Sequence, residues 1–388
     1  MTIPLSYNLR NLWERRTTTA MTALGVGLTV AVLLSVLALV QGLKQTLRAS
    51  GHPLNIVVLR KGSATEMFSN FPRATFQDLK YRSGIARANS GEPMASLEVV
   101  LVITLESPEN PDGVNINVRG LSQLGIQLRE GLRIVQGRWF TPGRREVVVG
   151  RSLAERYPAA RIGSKIELGR GDWEVVGVMD SGESAVNSEL WVDANLVGAE
   201  NNRQEILSSC LLRATDEVAV QALINNLSSD QNLEVDAIPE KEYFARQSTS
   251  SAPVQYAGIL LAVIMSIGSA FAAMNTMYAA VARRSKEIGT LRILGFSQGE
   301  ILLSFFTEAL LLSLLGGVIG CILVLPLNNL NTGIGSFQTF NETSFRIKVT
   351  LPILLSGLGF SLCMGLIGGL FPARNAAKKE ILVALKAT

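Results

Sequence analysis

The stretch VARRSKEIGTLRILGFSQGEI, Val281 to Ile301, sets Arg283, Arg284, Lys286, Glu287 and Arg292 around Ile288, Leu291 and Leu294. The three apolar residues recur every third position, which predicts a short helix with an apolar stripe. Its chemistry is that of docking: charges that can pair with a partner flank a stripe that can be buried against it. Gly289 allows a second backbone to come close, at a helix cost of about 1 kcal/mol relative to Ala. Gly295 suits the C-terminal stop of the helix. A basic helix can instead lie on anionic lipid, anchored by its arginines. Glu287 fits that less well, because an acid is unfavourable in a lipid-facing basic cluster, whereas a protein partner can use it in an ion pair.

No residues for catalysis or metal binding can be assigned. The dipeptide Gly-Lys is absent, so the chain has no glycine loop ending in a phosphate-binding lysine. There is no G-x-S-x-G and no H-E-x-x-H. His52 is the sole histidine, and it has no neighbours in the sequence for a catalytic pair or a metal site. Of the three cysteines, Cys321 and Cys363 fall in apolar runs as small fillers. Cys210 stands alone, so no disulfide is available to it. One acid does stand out. Glu308 lies inside an apolar run, where a carboxylate is unfavourable and commonly functional. No second intramembrane acid supports a proton relay, so a structural bond to a neighbouring helix is the expectation.

The elements around these residues are membrane spans. Thr17–Leu43, Gln247–Ala282 and Thr350–Ala373 contain no Asp, Glu, Lys, Arg or His, and Ile301–Leu327 contains only Glu308 among these. About 20 apolar residues cross the hydrocarbon layer, so each run is long enough. Mean hydropathy of +0.28 fits a chain that is part embedded and part aqueous. The first run is too long for a cleavable signal and lacks a small-residue cleavage site. Segments 1–20, 282–301 and 374–388 carry eleven basic and four acidic side chains, +7 against +4 for the whole chain. The remainder therefore sums to −3. Basic flanks face the cytoplasm, which puts both termini and the 282–300 helix there and the large middle segment outside. The high pI is a signal of topology and gives no ground for a nucleic-acid partner.

The expected architecture is a membrane protein with four transmembrane helices in a 1+3 arrangement and an α+β extracytoplasmic domain between spans one and two. The boundaries are a cytoplasmic segment 1–19, span 20–43, outer domain 44–250, span 251–281, cytoplasmic helix 282–300, span 301–328, outer loop 329–350, span 351–373 and tail 374–388. In the outer domain LNIVVLRKG, EVVLVITLE, REVVVG, KIELGRGDWEVVGVM and SELWVD read as strands. DEVAVQALINNLSSD reads as a helix with Val218, Leu223 and Leu227 on one face. KQTLRAS can continue the first span outward and PEKEYFARQSTSS has helix-favouring residues leading into the second, so the two flanks form either a stalk or a pair of disordered linkers. Gly316, Gly317 and Gly320 allow close helix packing, either within the chain or between two chains.

The motif ARRSKEIGTLRILGFSQGEI followed by FFTEALLLSLLGGVIG resembles the membrane core of the MacB/FtsX-like ABC permeases, the type VII group. Their pattern R-x-x-E-I-G-x-L-R-A-x-G, followed by E-A, falls on Arg284, Glu287, Ile288, Gly289, Leu291, Arg292, Gly295, Glu308 and Ala309. Ile293 stands where alanine is usual. NLRNLWERRTTTAMTALGVGL is similar to the family's first span, LRIVQGRWF and REVVVGRSLAERY to its periplasmic module, and GGLFPARNAAKKEILVALKA to its closing segment. Ile381–Ala384 replace the usual Pro-Val-Glu-Ala ending. The resemblance implies a permease subunit, not an enzyme, in the bacterial inner membrane. A separate ABC ATPase, carrying the ATP and Mg2+, would dock on a coupling helix formed by Arg283–Arg292 and closed by Gly295. It also implies a second permease chain, identical or related, and mechanotransmission to the outer domain. In a host with an outer membrane it implies an adaptor and an outer-membrane duct, and membrane lipids surround the spans. The exported molecule would be a lipid, lipoprotein, peptide or drug-like compound. The alternative is an FtsX-like transmitter that activates an envelope hydrolase. A sensor reporting to a kinase ranks last, because the extra spans of such sensors are missing.

Overall fold

A computed structural model describes residues 5–107, 110–247, 252–335 and 341–378. The chain opens with helices α1 (Leu5–Glu14) and α2 (Arg16–Ala49). A strand-rich region follows: β1 (Asn55–Arg60), β2 (Phe71–Pro72), α3 (Thr75–Lys80), β3 (Ala95–Ser107), β4 (Asn110–Leu121), α4 (Gln123–Gln127), β5 (Arg133–Gly137), β6 (Glu146–Gly150) and α5 (Arg151–Arg156). It continues through β7 (Lys165–Leu168), β8 (Gly171–Asp180), β9 (Glu189–Asp193), α6 (Ala194–Glu200), β10 (Ile206–Leu207), β11 (Ser209–Arg213), α7 (Glu217–Ser229), β12 (Val235–Pro239) and α8 (Glu240–Gln247). The last part holds α9 (Ala252–Arg283), α10 (Ser285–Ile293), α11 (Gln298–Val324), β13 (Asn331–Gly335), β14 (Glu342–Arg346) and α12 (Leu351–Lys378).

Two compact units emerge. The helical unit comprises Met1–Gln41, Pro253–Leu330 and Ile347–Thr388. Four helices, α2, α9, α11 and α12, are long and apolar enough to cross a membrane by length and composition. Small residues let them approach. A side chain at Gly316 would meet Val26 and the Ala23 carbonyl, and one at Gly320 would meet the Gly27 carbonyl and Val30, all on α2. Gly317 faces Ser361 on α12. All three glycines serve the intrachain bundle. α11 begins at a capping box: the Ser297 hydroxyl accepts from the Glu300 N–H, and the Glu300 carboxylate accepts from the Ser297 N–H.

The second unit is Gly42–Ala252 with Asn331–Arg346. Its ten-stranded sheet runs β12-β1-β11-β3-β4-β9-β6-β8-β5, with β7 also paired to β8. Pairs β4–β9 and β6–β8 are parallel and the rest antiparallel. This is the expected α+β unit, and the strands read from β-branched runs are present. The core gathers Ile56, Val58, Val149, Trp173, Leu190 and Leu212 from both halves of the sheet, with α7 laid against it.

The differences from sequence are instructive. Val218 is 81% exposed, and the inward face of α7 is Val220, Leu223 and Leu227. Asp216 caps α7 by accepting from the Ala219 N–H, and Val218, in the first turn after the cap, points outward. The helix expected over 282–300 is shorter: α9 runs on to Arg283, α10 spans Ser285–Ile293 and α11 starts at Gln298. The 329–350 segment expected as a loop contains the hairpin β13–β14, paired from Asn331↔Arg346 to Gly335↔Glu342. That hairpin belongs to the strand-rich unit, where Glu342 accepts from Arg156 and the Ser188 hydroxyl accepts from the Ser344 N–H. α2 extends to Ala49, as KQTLRAS suggests. The second flank is helical over α8 and then enters 248–251, outside the described residues, as is tail segment 379–388 with its Ile381–Ala384 ending.

Candidate functional site

The site is built around Arg284, at the joint between α9 and α10. Its Nε donates to Glu287 Oε2 at 2.8 Å and its Nη1 to Glu308 Oε2 at 3.0 Å. Its guanidinium lies over the rings of Tyr7 and Phe305, at 5.1 and 5.0 Å from their centroids. The Tyr7 hydroxyl donates to the same Glu287 oxygen at 3.0 Å. Burial works to raise the Glu287 carboxyl, but the hydrogen bond and charge of Arg284 outweigh it and hold the group below its ordinary value. Arg284 and Glu308 are both buried, so each is the other's compensation in a low-dielectric place. One arginine thus ties α1, α10 and α11 together.

Arg284, Ser285, Ile288 and Gly289 face inward. Ile288 packs in a cluster with Met277, Val281, Ile301, Phe305, Ala309, Ala373 and Ala376. Leu291 and Arg292 are half-buried, and Arg292 Nη1 donates to the Phe296 carbonyl at 3.3 Å. Arg283, Lys286, Glu287, Thr290, Ile293 and Leu294 face outward. The stripe expected from Ile288, Leu291 and Leu294 is therefore divided. Steps of three residues drift around a 3.6-residue helix, and Leu294 ends up 67% exposed while Ile288 is at the core. Ile293, which departs from the family pattern, is 60% exposed beside it. Glu287 is also corrected in part: half-exposed, it already serves Arg284 and Tyr7 within the chain.

Gly295 ends α10 at φ +97°. The Phe296 N–H reaches the Leu291 carbonyl at 3.1 Å and the Gly295 N–H reaches that of Arg292 at 3.2 Å, the two bonds of a Schellman stop. A left-handed residue is needed there, and glycine adopts it without strain. The result is a nine-residue helix with a packed inner face and, together with flanking Arg283 and Leu294, a mixed outer face of two aliphatic and three charged side chains.

A second cluster was not legible in the sequence. In the strand-rich unit Arg119 is buried among three carboxylates: its Nε and Nη2 grip Glu189, Nη1 and Nη2 grip Glu66, and Nη1 also reaches Glu98. Arg129 pairs with Glu98 from the other side. Burial would raise the Glu66 carboxyl, but Arg119 outweighs it and brings it to about 2. The residues come from three strands and two loops, and only the fold brings them together.

Residues 19–229 match the family model described as a MacB-like periplasmic core domain, and residues 259–381 match the FtsX-like permease C-terminal model. The chain belongs to the MacB/FtsX-like family of ABC transporter permeases. Macrolide export ATP-binding/permease protein MacB 1 of Aeromonas hydrophila subsp. hydrophila is 28% identical over 391 residues, 93% of this chain and 57% of that protein. The chain thus spans little more than half the length of that relative. The ABC transporter permease YknZ of Bacillus subtilis (strain 168) is 22% identical over 385 residues, covering 94% of both proteins. Among solved structures, the extracellular domain of YknZ from Gram-positive bacteria covers 47% of this chain at 16% identity and a TM-score of 0.36. As a permease of this family with four apolar helices of spanning length, the chain is a multi-pass membrane protein.

Proposed function

We propose that the outer face of α10 is the docking surface for an ABC ATPase on a separate polypeptide, and that the permease passes the ATPase's motion to the strand-rich unit to drive export. The observation that carries this is the two-faced character of α10. Its inner face is fixed by Ile288 and the Arg284–Glu308 pair, so a push on the outer face moves α11 rather than bending a loose loop. Ile293 and Leu294 are the apolar anchors, and Arg283 and Lys286 form the charged rim. The likeness to the ABC transporter permease YknZ supports the permease role, and the ATPase would hold the ATP and Mg2+. The excess of basic residues in 1–20, 282–301 and 374–388 supports placing α10 and both termini in the cytoplasm of the inner membrane, with the strand-rich unit outside.

On this reading two permease chains, identical or related, stand over two ATPases, and an adaptor and outer-membrane duct complete the path where the host has an outer membrane. The substrate class is a lipid, lipoprotein, peptide or drug-like molecule. The names of the MacB relatives specify macrolide export, so macrolides are the first class to test on this chain. Burying a leucine side chain is worth about 1.5–3 kcal/mol. Leu294→Glu should therefore weaken ATPase docking by roughly tenfold or more while leaving the exposed position's fold untouched. The assay is ATPase stimulation by the permease in reconstituted membranes. Full stimulation by the variant would sink the docking surface. Co-purification with an ATPase and a wall hydrolase, in place of an export partner, would move the function to the FtsX-like transmitter.

A further inference from the structure

The ten-stranded sheet ends at β5, whose only strand partner among the described residues is β8. The other edge of β5 is open: among the described residues no backbone hydrogen bond joins Arg133–Gly137 to anything but β8, and four of the five residues are exposed. The pairing slips between Ile134 and Gln136, so Val135 is the extra residue of a bulge. Neighbours along a regular strand point to opposite faces. Here Val135 and Gln136 both line one open groove of about 580 Å³. Val178 of β8, Arg151 and Glu155 of α5, and Arg161 and Ile162 from the loop before β7 line it with them. All belong to the strand-rich unit.

Val135 and Ile162 are 41% and 44% exposed, two aliphatic side chains at the groove without cover. Arg151 is engaged by Glu155 and Asp180, and Glu155 also accepts from Asn331. Arg161 differs: it is exposed, and among the described residues no acceptor reaches its guanidinium. An occupant that satisfies the groove therefore supplies backbone for an open strand edge, apolar cover and a carboxylate. A small anion supplies only the last. Two copies of β5 paired edge to edge would gather Arg133, Arg151 and Arg161 of both at one seam, and like charges oppose that. We propose that β5 and this groove bind an extended segment of a partner polypeptide. The segment adds a strand to β5, lays aliphatic side chains on Val135 and Ile162, and presents a carboxylate to Arg161. Main-chain bonding at an open edge gives affinity, and the side chains beside it give selectivity. Alternate residues of an added strand face the same way, so the segment carries its aliphatic and acidic residues two apart.

The test is fluorescence anisotropy of labelled peptides with the full chain in mild detergent. The probe is a nine-residue peptide that alternates threonine with valine and carries one aspartate on the valine face. Wild type should bind it about tenfold more tightly than the same peptide with lysine for aspartate. Arg161→Glu should reverse that preference, and Lys61→Glu, an exposed charge reversal outside the groove, should leave it unchanged. Only alternate amides of an added strand face β5. N-methylating one alternate set of the peptide's amides should therefore abolish binding, and methylating the other set should be tolerated. A thermal melt of each variant shows that it is folded. Equal affinity for the aspartate and lysine peptides, or unchanged binding on Arg161→Glu, would overturn the carboxylate contact. Equal effects of the two methylated sets, or no binding up to about 1 mM peptide, would overturn strand addition. Self-association of the chain that Ile162→Glu abolishes would give the groove to a second copy and overturn the proposal.

Discussion

Arg119 and Arg284 are two arginines put to comparable use in different surroundings. Each is buried and matched by carboxylates: Arg119 by three from distant parts of the chain, Arg284 by Glu287 one turn on and by the distant Glu308. Removing the cation of such a cluster leaves uncompensated buried charge, which costs about 3–5 kcal/mol. Arg119→Met, which keeps much of the volume, should lower the unfolding free energy of the strand-rich unit by that order in a urea titration, read from fluorescence of the buried Trp173 and Trp191. The pH dependence has a definite sign. Glu66 titrates near 2 in the folded chain against about 4.5 unfolded, so the stability from its pairing is complete above pH 4.5 and is lost as pH falls toward 2. The gap between wild type and Arg119→Met should be widest at neutral pH and narrow through that window. A gap that grows on acidification would contradict the pairing. Glu308 was visible in the sequence as an acid out of place. Its partner was not, because Arg284 sits 24 residues away at a helix joint that only the folded bundle creates.

At the level of elements, legibility followed local pattern. β6 and β9 are continuous runs of residues that favour strands, and they are buried along their whole length. β4 was missed because Asn110, Pro111, Asp112, Gly113, Asn115 and Asn117 spell a turn by composition. It is a strand because β3 pairs with it on one side and β9, some seventy residues on, lies parallel on the other. The hairpin β13–β14 was missed for a similar reason: threonine, glycine and polar residues gain strand character only from the unit that receives them. The start of α11 was legible in SQGE, whose serine and glutamate cap each other, and reading it would have shortened the 282–300 helix. The glycines of α11 and α12 give a contrasting pair of expectations. At Gly316 a Cβ would stand 2.6 Å from that of Val26, so Gly316→Ala should destabilise the bundle by about 1–3 kcal/mol. At Gly359 nothing lies within 4 Å, and Gly359→Ala should be neutral or add up to about 1 kcal/mol through helix propensity. Thermal melts in detergent read both, and equal loss at the two positions would contradict the packing.

For the whole molecule, the four apolar runs were legible as four long helices, since the length rule of a bilayer acts on stretches of sequence rather than on contacts. The proposed topology can be read with an impermeant thiol reagent on intact cells. A cysteine at exposed Lys61 should react, and one at exposed Thr290 should not. The native background is small in the strand-rich unit, where Cys210 is fully buried and its thiol pushed well above the ordinary range by burial; Cys363, exposed on α12, is replaced by alanine. The reverse labelling pattern would invert the orientation. The central claim, that an ATPase moves this permease through α10, is tested most directly by a photo-crosslinking residue at position 294 in native membranes, with position 218 on the strand-rich unit as the reference. The account expects a Walker-type ATPase to be captured from 294 and not from 218. Lipid adducts alone at 294 would leave α10 as a membrane-surface anchor and contradict the account.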